Sequence, residues 1–242
     1  MIKFLFKGII RDKTRSLLPV IVVALGVFLT VFMSGFLQGV FSDITDLNAK
    51  FTTGHVKIQT RAYAENADQL PNDLALLNVE ELVTRLQTDY PYMEWVERIH
   101  TGGLLDVPDS LGETSGQGQA VGTAVDLLSP GSHEVERMNI EKSVVKGSLP
   151  AKQGEALISD DFAERFGVSA GDNITLFGST MNGSMMFQTF RVSGTLRFGN
   201  TLLDRGAIFM DIHDAQLALD MDDAASEVLG YFKDGVYDDL KA

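Results

Sequence analysis

The sequence predicts an α+β protein in which one N-terminal transmembrane helix is followed by a mixed α/β extracytoplasmic domain of two subdomains. Residues 17–41 carry no charged side chain, whereas the flanks of this stretch differ sharply in charge. Beyond it, short segments with the two-residue periodicity of strands alternate with segments that have helical periodicity. These observations divide the chain into a basic segment (1–16), a membrane helix (17–41) and an outer domain (42–242).

The uncharged stretch has the length of a membrane helix. Its 25 residues span about 37 Å as a helix, against about 30 Å for the hydrocarbon core of a bilayer. A cleaved signal has a shorter apolar region, typically about 7–15 residues, and ends at a small-residue cleavage site, which the stretch after Phe41 lacks. The basic flank predicts a cytoplasmic N-terminus. Its topology-determining residues are Lys3, Lys7, Arg11, Lys13 and Arg15.

Two further features of this region each have two interpretations. Residues 1–16 have the pattern of an amphipathic helix lying in the membrane interface, but a plain basic flank that only sets topology explains them equally well. Gly35 and Gly39 form a G-x-x-x-G motif that allows close packing with another helix. Glycine is common in membrane helices, which is the alternative explanation.

The composition of the outer part excludes some classes of function. Residues 42–242 contain 32 acidic and 15 basic residues, so a nucleic-acid partner is excluded because phosphate binding needs clustered Lys and Arg. Cysteine is absent, which rules out disulfides and thiolate metal sites.

The first half of the outer domain begins with a strand at "GHVKIQT", where Val56 and Ile58 share one face. Asn78 and Glu81 then predict a capping box for a helix that ends before Pro91. A strand over about 95–107 follows. The glycines of the next stretch predict a flexible hairpin rather than a nucleotide loop, because their spacing does not fit one. They are Gly116, Gly118 and Gly122.

The second half has clearer local signals. Ser159 is expected to cap a short helix that Gly167 terminates, and Asp211 to cap another. Between them, Phe190, Val192 and Leu196 alternate with polar residues as in a half-buried strand. "SEVLGYF" predicts the last strand.

No constellation of residues indicates catalysis, a metal or a cofactor. The four histidines are far apart in sequence and form no metal-binding spacing, so structural or surface roles are expected for them. The adjacent acidic pairs, such as Asp160 and Asp161, point in different directions on a helix or strand and are expected on caps and solvated faces. No Walker loop is present.

One loop stands out as a candidate contact with substrate or a partner. Flexible thioethers in the Gly- and Ser-containing segment "STMNGSMMFQ" suit adaptable apolar contacts, and they belong to Met181, Met185 and Met186. Phe187, Phe190 and Phe198 could add an acyl-chain surface, but burial in the core is the favoured interpretation for them.

Four segments in order resemble the permease subunits of the MacB, LolC/LolE and FtsX-like group of ABC transporters. These are "FKGIIRDKTRS", "GHVKIQ", "VVKGSLPAKQGEALISDDFAERFGVSAGDNITL" and "FRVSGTLRFGNTLLDRGAIFMDIHDAQLAL", and together they extend over nearly the whole chain. The third is similar to the family's periplasmic core domain.

The resemblance implies a transport component of the bacterial inner membrane that handles or hands off a lipoprotein, peptide or small molecule. It implies three partners: a cytoplasmic ATPase subunit, a second permease copy or paralogue, and a periplasmic carrier or adaptor protein. Family permeases have three more membrane helices, so the chain is expected to be the N-terminal half of a longer permease.

Two other functions stay open on the residues alone. The first is a single-pass, membrane-anchored binding or scaffold protein with no ATPase coupling. The second is an anchored hydrolase, which the missing catalytic constellation disfavours.

Overall fold

The structure, a computed structural model, describes residues 13–109, 111–200 and 204–235, with the backbone alone at residues 13–16, 42 and 43. The chain divides into two compact units, Met1–Thr52 and Thr53–Ala242. Lys3, Lys7 and Arg11 lie outside the described residues, and of Lys13 and Arg15 only the backbone is described.

The first unit contains one long helix, α1 (Lys13–Asn48), followed by a π-helical turn (Ala49–Thr53). Its length and composition are sufficient for a membrane span, and its apolar side chains are exposed. The helix continues beyond Phe41, where the uncharged run ends. The end of such a run marks a change in the surroundings of the side chains, and the helical backbone hydrogen bonds can continue past it. Pro19 lies inside the helix.

The second unit is a mixed α/β structure. Its helices are α2 (Arg61–Glu65), α3 (Val79–Asp89), α4 (Glu134–Arg137), α5 (Ile140–Ser143), α6 (Asp160–Phe166) and α7 (Ile212–Leu219). Two 3₁₀ turns cover Ala67–Gln69 and Asn72–Leu74. The strands are β1 (Val56–Ile58), β2 (Leu76–Leu77), β3 (Met93–Pro108), β4 (Thr114–Val125), β5 (Val144–Gly147), β6 (Glu155–Ser159), β7 (Asn173–Ser179), β8 (Met185–Leu196), β9 (Ala207–Asp211), β10 (Ala224–Ala225) and β11 (Glu227–Phe232).

Six strands pair in a closed ring, in the order β3, β4, β9, β6, β8, β7 and back to β3. The β4/β9 and β6/β8 pairs are parallel and the other four are antiparallel. β11 and β1 extend the sheet from the first half of β3, and β5 pairs with β8. The expected two subdomains do not separate, because the long strand β3 belongs both to the barrel and to its extension.

The barrel interior is filled by alternate side chains of its strands. Successive strand residues point to opposite faces, so each strand contributes every second residue to the core. The predicted inward positions Phe190, Val192 and Leu196 of β8 are confirmed as buried. Other members of the core are Leu105, Ala120, Ile158, Ile174, Leu176, Ile208 and Met210.

The glycine-rich segment after β3 forms a hairpin with it, as predicted, but its glycines lie in the ordered strand β4 and not in a flexible loop. Gly116 and Gly118 of β4 lie against the rings of Phe166 and Phe162 on α6. A Cβ at Gly116 would lie 2.6 Å from the Phe166 ring, and one at Gly118 would lie 2.7 Å from the Phe162 ring. Gly122 similarly leaves room for Thr101, at 2.6 Å from such a Cβ. These glycines therefore serve close packing rather than chain mobility.

Two predicted helix caps are confirmed and one is wrong. The Ser159 Oγ accepts from the Phe162 N–H, and the Asp211 carboxylate accepts from the His213 N–H. Asn78 has a left-handed backbone with a φ of 55° and caps nothing with its side chain. A residue distant in sequence replaces it, since the Asp223 carboxylate accepts from the Glu80 N–H at 2.7 Å.

Asp160 corrects the expectation that the paired acidic residues are solvated. Its carboxylate is almost fully buried at the start of α6. It accepts from the Thr195 hydroxyl at 2.8 Å and forms ion pairs with Lys146 at 3.2 Å and Arg197 at 3.0 Å. The site is therefore a tertiary ion pair that links α6 to β5 and β8.

Candidate interaction surface

An apolar surface lies on the outside of the barrel, where β4, β3, β7 and β8 are adjacent. Directly opposed residues of paired strands point to the same face. Leu104 of β3 is opposite Phe177 of β7, which is opposite Phe187 of β8. Val121 of β4 and Met185 of β8 belong to the adjacent row. We call these five residues the barrel face.

The barrel face is exposed because its neighbours in sequence fill the core. Leu105, Leu176 and Met186 point inward and are buried. The side chains of the barrel face therefore point outward, and Met185 is 81% exposed and Phe187 72% exposed. Contiguous exposed apolar side chains of this kind mark interaction sites more often than isolated ones do.

The other described strand residues in the two rows of the barrel face are small or polar and carry no charge. They include Gln119, Gly102 and Ser179. The ionisable residue of the next row, Asp106, is buried and accepts from the Gln117 amide at 3.0 Å. Depletion of charge within these two rows is typical of the core of a protein interface.

The three methionines singled out in the sequence have different positions. Met185 lies on the barrel face, whereas Met186 is buried against Gly178 inside the barrel and contributes nothing to the surface. Met181 is half-buried at the tip of the β7–β8 hairpin, where its N–H donates to the Leu219 carbonyl at 2.8 Å. It lines a groove of about 580 Å³ that also includes Gly102 and Ser179, so the groove adjoins the barrel face.

The three phenylalanines of this region differ in burial. Burial is confirmed for Phe190 but is wrong for Phe187, and Phe198 is half-buried with its ring centroid 5.5 Å from that of Phe209. The signal for Phe187 was present, since it is an odd number of residues from the inward Phe190. Leu104, Val121 and Phe177 carried no comparable signal, because their strands meet only in the folded barrel.

Within the described residues of the second unit, each histidine pairs with a nearby group. The His55 Nδ1 accepts from the Phe232 N–H, and the other three rings face carboxylates at 2.9–3.1 Å. Within the described residues, no group of three His, Asp or Glu side chains could hold a metal ion. The histidines occupy structural positions, and the barrel face remains the candidate functional site.

Glu227 is expected to make the second unit sensitive to acid. Burial disfavours its charge, but hydrogen bonding from His100 and the nearby Lys57 ammonium outweigh this and lower its pKa. An unfolded glutamate titrates at about pH 4.3. Because the folded pKa is lower, the contribution of Glu227 to stability is complete above that pH and is lost as the pH falls through the folded pKa.

The corresponding measurement is the free energy of unfolding from about pH 6 to about pH 3. Glu227→Gln is expected to make the decline with falling pH shallower than in the unmodified chain. Glu113→Gln, at an exposed hairpin position, is the control and should leave the decline unchanged. An equally steep decline in Glu227→Gln would show that other carboxylates determine the acid response.

Comparison with known proteins agrees with the sequence motifs. The family model described as the MacB-like periplasmic core domain matches residues 16–240. The crystal structure of the periplasmic region of MacB from Actinobacillus actinomycetemcomitans is similar, with a TM-score of 0.48 and 10% identity over 74% of each chain. A search of curated proteins finds no significant match. The family match covers more than nine-tenths of the sequence, and the chain therefore belongs to the MacB-like periplasmic core domain family.

Proposed function

We propose that the chain forms the membrane-anchored, extracytoplasmic part of an ABC transporter permease subunit, and that its barrel face contacts a carrier or adaptor protein during hand-off. Membership of the family and the apolar helix α1 support the first part. The exposed, uncharged barrel face is the observation that carries the second part.

The shape and chemistry of the barrel face favour a protein as its partner. The outside of a barrel is convex, so it cannot enclose an acyl chain as a concave pocket does. Aromatic residues and methionine are enriched at protein interfaces, and charged residues are depleted from the interface core. Burying Met185 and Phe187 against a partner would contribute about 1.5–3 kcal/mol each.

The charge pattern and membership of the family support the rest of the proposed assembly. The basic N-terminal flank favours a cytoplasmic N-terminus, with the second unit outside the inner membrane. A separate ATPase subunit on the cytoplasmic side supplies the energy, and a second permease copy or paralogue completes the membrane complex. Close packing of helices through Gly35 and Gly39 would serve this contact, since a Cβ at either glycine meets no atom within 4 Å.

Photocrosslinking tests the barrel face directly. A photoreactive amino acid at Phe187 or Met185, in membranes that contain the native transporter, is expected to capture an extracytoplasmic protein reproducibly. Leu111 is a matched control, because it is an exposed apolar residue on the β3–β4 hairpin, seven positions along the chain from Leu104. Capture of lipid instead, or equal capture from Leu111, would contradict the proposed contact.

Co-purification tests the coupling to an ATPase. The chain isolated from solubilised membranes is expected to bring an ATPase subunit with it. Its reproducible absence would favour the anchored scaffold protein, which has the same helix and the same exposed surface but no ATPase partner. Substrate turnover that a single acidic or histidine substitution abolishes would instead indicate a hydrolase.

A further inference from the structure

A second groove, away from the barrel face, lies along a free edge of β3. The first half of β3 pairs with β11 on one side, and pairing with β4 on the other side begins only at Ile99. The groove, of about 450 Å³, runs beside Glu94–Glu97 on this unpaired side. Its other walls are the loop from Asp126 to Ser132 and the helix α7. A strand edge in such a groove offers backbone groups to an extended chain.

Glu97 gives the groove a carboxylate that has no ion-pair partner among the described residues. Its side chain is half-buried and has no hydrogen bond or ion pair among the described residues. Burial, followed by the nearby carboxylates of Asp223, Glu80 and Asp126, raises the pKa of Glu97 despite the opposing effect of His213. A cation in the groove would weaken the repulsion between Glu97 and the nearby carboxylates and would give Glu97 an ion-pair partner.

The other ionisable groups that line the groove already have partners. Glu94 forms ion pairs with Arg137 at 2.7 Å and with His133 at 3.0 Å. His213 faces Asp211 at 2.9 Å, and Asp126 accepts from the Ser129 N–H at 2.9 Å. Glu97 is therefore the lining carboxylate that has neither an ion pair nor a hydrogen bond among the described residues.

Trp95 lies near Glu97 in the lining of the groove. It is 7% exposed, and its Nε1–H has no acceptor among the described residues. The benzenoid edge of the ring packs on Gly230 of β11, where a Cβ would lie 2.6 Å from Cζ3. The Nε1 is itself covered and has almost no surface open to solvent. Trp95 therefore contributes to the lining of the groove and can report binding there by its fluorescence, but its indole N–H is not open to a ligand.

We propose that this groove binds an extended peptide segment that carries a lysine or arginine. The cation pairs with the Glu97 carboxylate, and the peptide backbone lies along the unpaired edge at Glu94–Glu97. Those four strand residues extend over about 13 Å, which is the length of a tetrapeptide in the same conformation. An anionic segment is excluded by the carboxylates, and the inference stands independently of the barrel face.

The single tryptophan of the chain makes binding directly measurable. The full chain in nanodiscs of zwitterionic phosphatidylcholine is titrated with a blocked pentapeptide that has lysine at its centre and threonine and valine on either side. The lysine peptide is expected to change the Trp95 emission saturably. The same peptide with central norleucine should bind at least about tenfold more weakly, and the one with glutamate should not bind.

Variants locate the site. Glu97→Gln is expected to weaken binding of the lysine peptide at least about tenfold, whereas Glu113→Gln, an exposed carboxylate elsewhere, should not change it. Circular dichroism reports whether each variant is folded. Equal affinity for the lysine and norleucine peptides, or unchanged affinity in folded Glu97→Gln, would overturn the proposal.

Hydrogen exchange provides a measurement that needs no variant. In the unmodified chain, the lysine peptide is expected to slow amide exchange in residues 94–97 and in the loop from 126 to 132. Protection confined to other segments would overturn the proposal. Crosslinking from the barrel face tests the proposed function separately, because neither Met185 nor Phe187 lines this groove.

Discussion

Replacing Glu134 by glutamine is expected to lower the free energy of unfolding of the second unit by about 3–5 kcal/mol. The Glu134 carboxylate and the Arg98 guanidinium are both fully buried and are joined by a hydrogen bond of 2.8 Å from Arg98 Nε. The Arg98 Nη2 donates to the Tyr231 hydroxyl at 3.0 Å, and Arg137 also pairs with Glu134. The substitution would leave the buried charge of Arg98 without a counterion, which is the costly outcome for such a pair.

The expected loss comes from burial of the charge and not from the loss of an ion pair as such. Burial raises the pKa of Tyr231 to about 12, so its hydroxyl stays neutral and cannot replace the carboxylate. Arg98→Met together with Glu134→Met should recover part of the loss, because the double change removes both buried charges.

Glu65→Gln is the matched control for this prediction. Glu65 pairs with Arg61 at 2.9 Å, but both side chains are exposed on one face of a short helix. Its removal is expected to change the free energy of unfolding by no more than about 0.5 kcal/mol. Denaturant unfolding followed by Trp95 fluorescence measures both variants, and equal losses would contradict the assigned role of burial.

Phe190→Ala is expected to lower the free energy of unfolding by about 3–5 kcal/mol, while Phe187→Ala should change it by no more than about 0.5 kcal/mol. The two residues lie on the same strand, but Phe190 is 0% exposed and Phe187 is 72% exposed. Truncation of Phe190 opens a cavity inside the barrel, where Ile174 is its neighbour on β7. Truncation of Phe187 removes a side chain that solvent already surrounds.

The substitutions at Phe190 and Phe187 are expected to affect different properties, namely stability and partner binding. Phe187→Ala should keep the fold and reduce crosslinking from Met185 to the partner protein, since both side chains belong to the barrel face. Unfolding curves and crosslinking yields measure the two effects. A large loss of stability in Phe187→Ala would mean that this residue supports the fold, and the barrel face would then need another explanation.

The tertiary structure decided which apolar residues meet and which stay exposed. The barrel face exists because β3, β7 and β8 close a ring, which brings Leu104 beside Phe177 although they are 73 positions apart. The cap of α3 likewise comes from Asp223, 143 positions from the N–H that it accepts. Such pairings depend on the path of the whole chain, so local patterns at Asn78 or in the glycine-rich segment predicted the wrong outcome there.

The sequence by itself determined the features that depend on local interactions. An uncharged run of 25 residues is long enough for a membrane helix in any context, and the order of the motifs identified the family. The caps at Ser159 and Asp211 form within three residues along the chain, and the alternation of β8 follows from the strand geometry. Only the tertiary structure decided three other features: the exposure of Phe187, the burial of Asp160 and the groove beside Glu97. Each of them depends on contacts between elements that are distant in sequence.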